Sequence, residues 1–404
     1  MDTNHLSKLQ SVFSDSVDAN KVAGVNCLVY KDNKEIGYWQ AGCRDVENNL
    51  PFDRDTICRL FSMTKPVTAV AAWILIEQGK IDLADEVGKY IPEFWNLQVC
   101  YEKGRNGKPQ KAGRNLTIQD LLNMTSGYTY GAWWEGAPLG EHLTSDLIVQ
   151  LNEDVCKDNK ITTLDLAKRL AAIPLSFEPG TNYAYGLSAD IMGAVIEVVS
   201  GMKFSDFLKK NIFEPLGMND TDFYVPEEKR DRLAKAYICD DGKSIKEFKS
   251  PNLGIQYKMD HAPSFESGGA GLCSTIDDYL KFALMLVNKG EYKGVRILQK
   301  RTVEYLASAR LRDDLQQKFN QNMENWSGHT YCNFMRIAFE PGKCKYLAEQ
   351  DEFGWDGWLG PFVNIDIKNN MVIVMLMQKT NAGTWELTRK MKNVVYSSGL
   401  PHYK

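Results

Sequence analysis

Strand-forming runs lie at both ends of this 404-residue chain and are nearly missing from its middle, which restricts how a sheet can be assembled. Residues 22–45, VAGVNCLVYKDNKEIGYWQAGCRD, read as two strands around the turn Lys31-Asp-Asn-Lys34. From Phe362 the run FVNIDIKNNMVIVMLMQ gives two more around Lys368-Asn-Asn370, and an amphipathic helix follows over 385–396. Helical signals fill the interval at 67–78, 117–123, 164–172, 189–200, 204–212 and 276–288, the last behind a Thr275 cap. Strands at the two ends with helices between predict an α+β fold, an antiparallel sheet built from both termini and flanked by helices, with an all-helical region added. Two irregular stretches stand out: 98–116, rich in Lys, Arg and Gly, and 126–160, which holds Tyr128, Tyr130, Trp133 and Trp134. Either can be the rim of a functional site, and the first is equally readable as a surface excursion.

Charge and composition remove several function classes. Lys and Arg total 48 against 52 Asp and Glu, a net charge of −4 with no basic block, so no nucleic-acid partner is expected. The longest nearly apolar stretch, 66–76, is far shorter than the roughly 20 residues that span a bilayer, so no membrane partner is expected. The first residues show no positively charged segment followed by an apolar one, which predicts a cytoplasmic protein. Nine cysteines without a C-x-x-C pair read as reduced thiols, mostly small core residues. His5, His142, His261, His329 and His402 lie in no metal-ligand spacing, and no metal or organic cofactor is expected. The sequence leaves the oligomeric state open.

No G-x-S-x-G elbow occurs, but Ser-x-x-Lys occurs twice. Ser200-Gly-Met-Lys203 has the composition of a helix end. Ser62-Met-Thr-Lys65 precedes the apolar run PVTAVAAWILIEQG and opens a buried helix, with Pro66 tolerated in its first turn. Positions i and i+3 share a helix face, so Lys65 can reach the Ser62 hydroxyl beside the positive end of the helix dipole. A lysine takes a serine proton only if its pKa falls from about 10.4. On four residues alone, a capping serine beside a solvated lysine explains the pattern as well.

The flanking residues decide between the two. ICRLFSMTKPVTAVAAWILIEQGKIDLADEVGKYIPEF resembles the nucleophile region of the class C β-lactamase-like superfamily, which includes D,D-peptidases, family VIII carboxylesterases and acyltransferases. LTIQDLLNMTSGYTY (116–130), FEPGTNYAYGLSADIMGAVIEVVSG (177–201), GGAGLCSTIDDYLKF (268–282) and FGWDGWLGPFVNIDIKNNMVIVMLMQ (353–378) agree in order, so the resemblance covers about 20–396. It implies a β-lactamase/transpeptidase-like fold, with 1–80 and 265–404 forming a discontinuous sheet domain. Residues 81–264 then form a mainly helical domain, and the active site lies in the cleft between.

The resemblance further implies Ser62 as acylated nucleophile, Lys65 as its general base and Tyr185, rather than Tyr183, as the catalytic tyrosine. It implies an oxyanion hole from the backbone N–H groups of Ser62 and Trp358. Trp355-Asp356-Gly357 falls where the superfamily has Lys-Thr-Gly, His-x-Gly or Trp-Gly-Gly, and these three residues are expected to bind substrate together with Tyr128, Trp133 and Trp134. Penicillin-recognising members carry Tyr-x-Asn and usually Lys-Thr-Gly, whereas this chain reads Tyr185-Gly-Leu187 and begins the strand motif with Trp355; Lys379-Thr-Asn381 follows the second strand instead. These departures favour a carboxylesterase acting on small acyl esters. An acyltransferase using an alcohol or amine acceptor, a β-lactamase or peptidase, and a catalytically silent binding protein are the alternatives.

Overall fold

A computed structural model describes residues 1–157, 161–240 and 243–399; His402 lies outside the described residues. Strands β1 (Gly24–Lys31) and β2 (Lys34–Asp45) form the expected first hairpin. Asp32 and Asn33 sit at φ 51° and 58°, the left-handed pair that a two-residue turn between twisted strands requires. The other strands of the sheet are β3 (Leu50–Pro51), β4 (His329–Cys332), β5 (Met335–Ala338), β6 (Phe353–Asp356), β7 (Phe362–Asp366) and β8 (Met371–Met377). Their order, β4-β5-β6-β7-β8-β1-β2-β3, seats β8 against β1, with Val25 opposite Met377 and Lys31 opposite Met371. The two ends of the chain thus meet in the centre of one antiparallel sheet.

Both faces of that sheet are covered, which explains why β8 reads as an unbroken apolar run. Met371, Ile373, Met375 and Met377 face a core closed by helices α1 (Lys8–Asp18) and α6 (Glu386–Tyr396) through Leu9, Phe13, Leu387, Met391 and Val395. Val372, Val374 and Leu376 face the larger core, shared with α2 (Lys65–Glu77), α4 (Ser188–Ser200) and α5 (Ile276–Val287). α2 is buried on every side from Lys65 to Leu75, so it carries no polar face.

Several elements depart from the sequence reading. The stretch 126–160 contains helix α3 (Leu139–Cys156), which opens on Pro138 with no side-chain cap. Its first turns bury Gly140, His142 and Thr144, and the apolar stripe Leu147, Leu151 and Val155 follows only further along. The stretch 98–116 carries a short pairing of Gln98–Val99 with Gln110–Lys111. Strands β4 and β5 are joined by Asn333 and Phe334 at φ 53° and 59°, and a bulky Phe is a poor turn signal. The helix expected over 204–212 is α-helical only at Phe204–Leu208 and continues as a wide turn over Lys209–Phe213. All nine cysteines are free.

Candidate active site

Ser62 lies in a 3₁₀ turn, Phe61–Thr64, that runs directly into α2 at Lys65. Phe61, just before the serine, has φ 45°, a strained left-handed conformation for a bulky residue. The surroundings over-determine it. Leu60 N–H donates to Leu272 O (2.8 Å), Leu272 N–H donates to Thr64 Oγ1 (3.1 Å), and Tyr279 OH donates to Met63 O (2.7 Å).

Lys65 has no solvent exposure. Its Nζ lies 3.1 Å from Ser62 Oγ, 2.9 Å from Tyr130 OH and 2.8 Å from Gly269 O. Burial pulls its pKa from 10.5 down to about 7, against the opposing attraction of Asp190 and Asp356. Gly269 O is held in place by Asp190, which accepts from Ser267 Oγ (2.5 Å) and Gly269 N–H (3.2 Å). A Cβ on Gly269 would crowd the Asp190 carboxyl, so this close approach requires glycine.

Two tyrosines flank the lysine. The Tyr185 ring centroid lies 4.8 Å from Lys65 Nζ, and the Tyr130 and Tyr185 rings meet edge-on at 5.5 Å. Burial pushes both phenols above their ordinary pKa. Tyr185 OH accepts a hydrogen bond from Trp355 Nε1 (2.7 Å), and Trp355 is stacked in turn on Trp326 at 5.3 Å.

The end of β6 closes the other side. Gly357 comes so near Leu60 that a Cβ would collide with the Leu60 carbonyl oxygen. The Phe61 and Trp358 rings meet at 5.1 Å, and Trp358 Nε1 donates to Asn381 Oδ1 (2.7 Å). The Trp358 N–H falls within the turn that Gly360 N–H closes onto Gly357 O (2.8 Å). The Ser62 N–H falls in a first helical turn, where no earlier carbonyl can accept it.

Ser62, Lys65, Tyr185, Gly357 and Trp358 are therefore brought together, with Trp355 behind Tyr185, and the remaining expected residues are not. Tyr128 is 1% exposed and packs edge-on to Phe94, 6.1 Å between centroids; it belongs to the core and cannot touch a substrate. Trp355 is buried as a clamp on Tyr185 rather than lying open to a ligand. Asp356 sits opposite Phe362 on the far face of the sheet, where its carboxyl accepts from Thr384 Oγ1 and burial raises its pKa to about 7. Trp133 and Trp134 stand out into solvent. Tyr183 is buried between Phe319 and Tyr331, and Lys379 covers the Trp385 ring. Tyr130 is the functional candidate missing from the expected set. It lies in the quoted 116–130 segment, and only its partner Lys65 distinguishes it from Tyr128. Among the described residues no group of three His, Cys, Asp or Glu is placed to hold a metal ion.

The sequence profile of the beta-lactamase family matches residues 9–391. The chain belongs to the beta-lactamase family. Protein Rv1367c of Mycobacterium tuberculosis is 28% identical to this family member over 373 residues, covering 91% of this chain and 89% of that one. Esterase EstB of Burkholderia gladioli is 27% identical over 288 residues, 68% of each chain. Among solved structures, EstCE1, a hydrolase with promiscuous acyltransferase activity, superposes with a TM-score of 0.75 at 23% identity. The match covers 98% of this beta-lactamase-family chain and 99% of EstCE1, so the two share the β-lactamase/transpeptidase-like fold.

Proposed function

We propose that the protein is a serine hydrolase that forms an acyl-enzyme on Ser62 and cleaves small carboxylic esters. The observation that carries this reading is the Lys65 amine, fully buried, with a pKa of about 7 and 3.1 Å from Ser62 Oγ. A neutral lysine has two N–H donors and one lone pair. Gly269 O and Tyr130 OH take the donors, which leaves the lone pair for the Ser62 proton.

Ser62 Oγ then bonds the ester carbonyl carbon while its proton passes to Lys65 Nζ. The carbonyl oxygen gathers negative charge against the N–H groups of Ser62 and Trp358. As the ester C–O bond breaks, the leaving alcohol takes a proton. Both phenols are arranged to relay it, since each accepts from a fixed donor, Lys65 Nζ or Trp355 Nε1, and keeps its own O–H for the site. Water, activated by the same groups, releases the acid. Alcohol in place of water gives acyl transfer, a second reading favoured by the acyltransferase activity in the name of EstCE1.

A neutral substrate follows from where the cations point. Arg59, three residues before the nucleophile, directs its guanidinium to the carbonyls of Ala234, Gln256 and Tyr257, and Trp355 supplies a neutral N–H to Tyr185. The test compares the parent with Ser62→Ala on a p-nitrophenyl ester and on nitrocefin. Intact-mass measurement after fluorophosphonate treatment accompanies it. An adduct on the parent alone, with faster ester than nitrocefin turnover, supports the reading. Parent-rate ester hydrolysis by Ser62→Ala overturns it, and a parent without an adduct points to a silent binding protein.

A further inference from the structure

Trp133 is 88% exposed and Trp134 is 59% exposed, although indoles gain more from burial than almost any other side chain. The loop that carries them is fixed. Ala132 N–H donates to Glu141 O (3.1 Å) and to Ser145 Oγ (2.8 Å), and Ala137 N–H donates to Trp134 O (3.2 Å). The indoles are therefore held outward by an ordered frame.

The segment 101–114, YEKGRNGKPQKAGR, packs beside them. Gly104 N–H donates to Ala137 O (2.8 Å), and Lys103 Nζ lies 5.7 Å from the Trp134 ring centroid. Arg105 pairs with Asp146 of α3 (2.7 Å), and Val149, one turn further along, is 60% exposed. This segment has five cations, Lys103, Arg105, Lys108, Lys111 and Arg114, against the carboxylate of Glu102; Arg105 and Arg114 are paired with Asp146 and Asp120, and Glu178 accepts from Tyr101 and Gly113, which leaves the three lysines as the cations of the surface. Among the described residues Lys108 and Lys111 form no ion pair, so their charge faces solvent. The patch also borders the proposed site. Tyr130, bonded to Lys65, is three residues from Trp133, a reach of at most about 11 Å.

We propose that Trp133, Trp134 and the basic segment form a peripheral docking surface for an anionic lipid bilayer, which sets the mouth of the active site against the lipid. Indoles prefer the headgroup level of a bilayer, and neighbouring lysines are drawn to anionic headgroups. That no helix of the described residues is long and apolar enough to cross a membrane bears on spanning, not on contact from one side. Substrates that reach the site from this surface are lipophilic esters, with the acyl chain already at the interface.

The test is co-sedimentation of the full chain with vesicles of phosphatidylcholine and phosphatidylglycerol in equal parts, beside vesicles of phosphatidylcholine alone. The parent is expected to bind the mixed vesicles at least tenfold more strongly, an advantage that molar salt removes. Trp133→Ser/Trp134→Ser should lose at least tenfold in binding while hydrolysing a soluble short-chain ester at the parent rate. Lys108→Glu/Lys111→Glu should lose only the preference for the anionic vesicles, and it serves as a second variant if the first folds poorly. A parent that stays in the supernatant, or indole variants that bind like the parent, overturns the proposal. A parent that is dimeric without lipid while the indole variant is monomeric also overturns it, because the patch is then a self-association face. Binding is read without turnover, so it stands or falls separately from the esterase reading.

Discussion

In the proposed mechanism Lys65 must lose its proton before Ser62 attacks, and burial favours that loss by lowering the amine's pKa to about 7. The acylation rate measured in single turnovers should therefore fall tenfold per unit below pH 7 and level off above it; an acid limb near pH 10 would contradict the assignment. Stability carries the same sign. The folded pKa lies below the unfolded value, so the unfolded chain binds more protons between about pH 7 and 10.4 and the folded state gains as pH rises through that window. Relative to Lys65→Met, the parent should gain about 1.4 kcal/mol per unit there, read by urea unfolding. The two tyrosines separate by a different measurement. Tyr185→Phe is expected to lower kcat by about 10²–10⁴-fold. Tyr130→Phe removes an acceptor from the ammonium and should also move the acid limb to lower pH. Ser62, Lys65 and Tyr185 are candidates that the sequence alone offers, because short-range spacing and ordered flanking motifs carry them, and the fold places them in contact. Tyr130 is not one of them, because its partner lies 65 residues away and Tyr128 has the same local chemistry.

Among the elements, the junction of β6 with the turn before α2 fixes the proposed oxyanion hole, and it depends on Gly357. A Cβ there strikes Leu60 O, so Gly357→Ala should push the Trp358 N–H away from the Ser62 N–H. We expect kcat to fall by about 10²–10³-fold, the effect of losing one oxyanion donor, with KM nearly unchanged. The overpacking should also cost about 1–3 kcal/mol in urea unfolding. Parent-like kcat in a folded Gly357→Ala protein would remove Trp358 from the mechanism. The two hairpins that supply β1 and β8 are readable because strand-forming apolar runs flank Asp32-Asn33 and Asn369-Asn370. The start of α3 is hard to read for a different reason: its first turns bury Gly140, His142 and Thr144 ahead of the apolar Leu147, Leu151 and Val155, and the close approach that buries Gly140 against Pro174 is tertiary. For Trp355 the strand position gives the face of the indole but not its hydrogen-bond partner, Tyr185.

At the scale of the whole molecule, the C-terminal helix is tied to the strand that enters the site. Lys392 of α6 and Glu352, which immediately precedes β6, form an ion pair with both carboxylate oxygens at 2.7 Å. Their side chains are 0% and 2% exposed. Asn364 Nδ2 donates to the same carboxylate (3.2 Å) and to Tyr396 OH (3.0 Å), and Tyr396 OH donates to Asp366 Oδ2 (3.0 Å), so strand, helix and sheet share one buried polar network. Removing one partner of such a pair strands a charge away from water, whereas removing both charges leaves a neutral set. Lys392→Met alone should cost about 3–5 kcal/mol in urea unfolding. Adding Glu352→Gln, which keeps an acceptor for Asn364, should restore most of that loss. If Lys392→Met costs less than about 1 kcal/mol, the value of an exposed pair, the network does not anchor the strand. If it unfolds as expected and the double variant recovers stability but not kcat, then Glu352 also sets the position of Trp355 through β6.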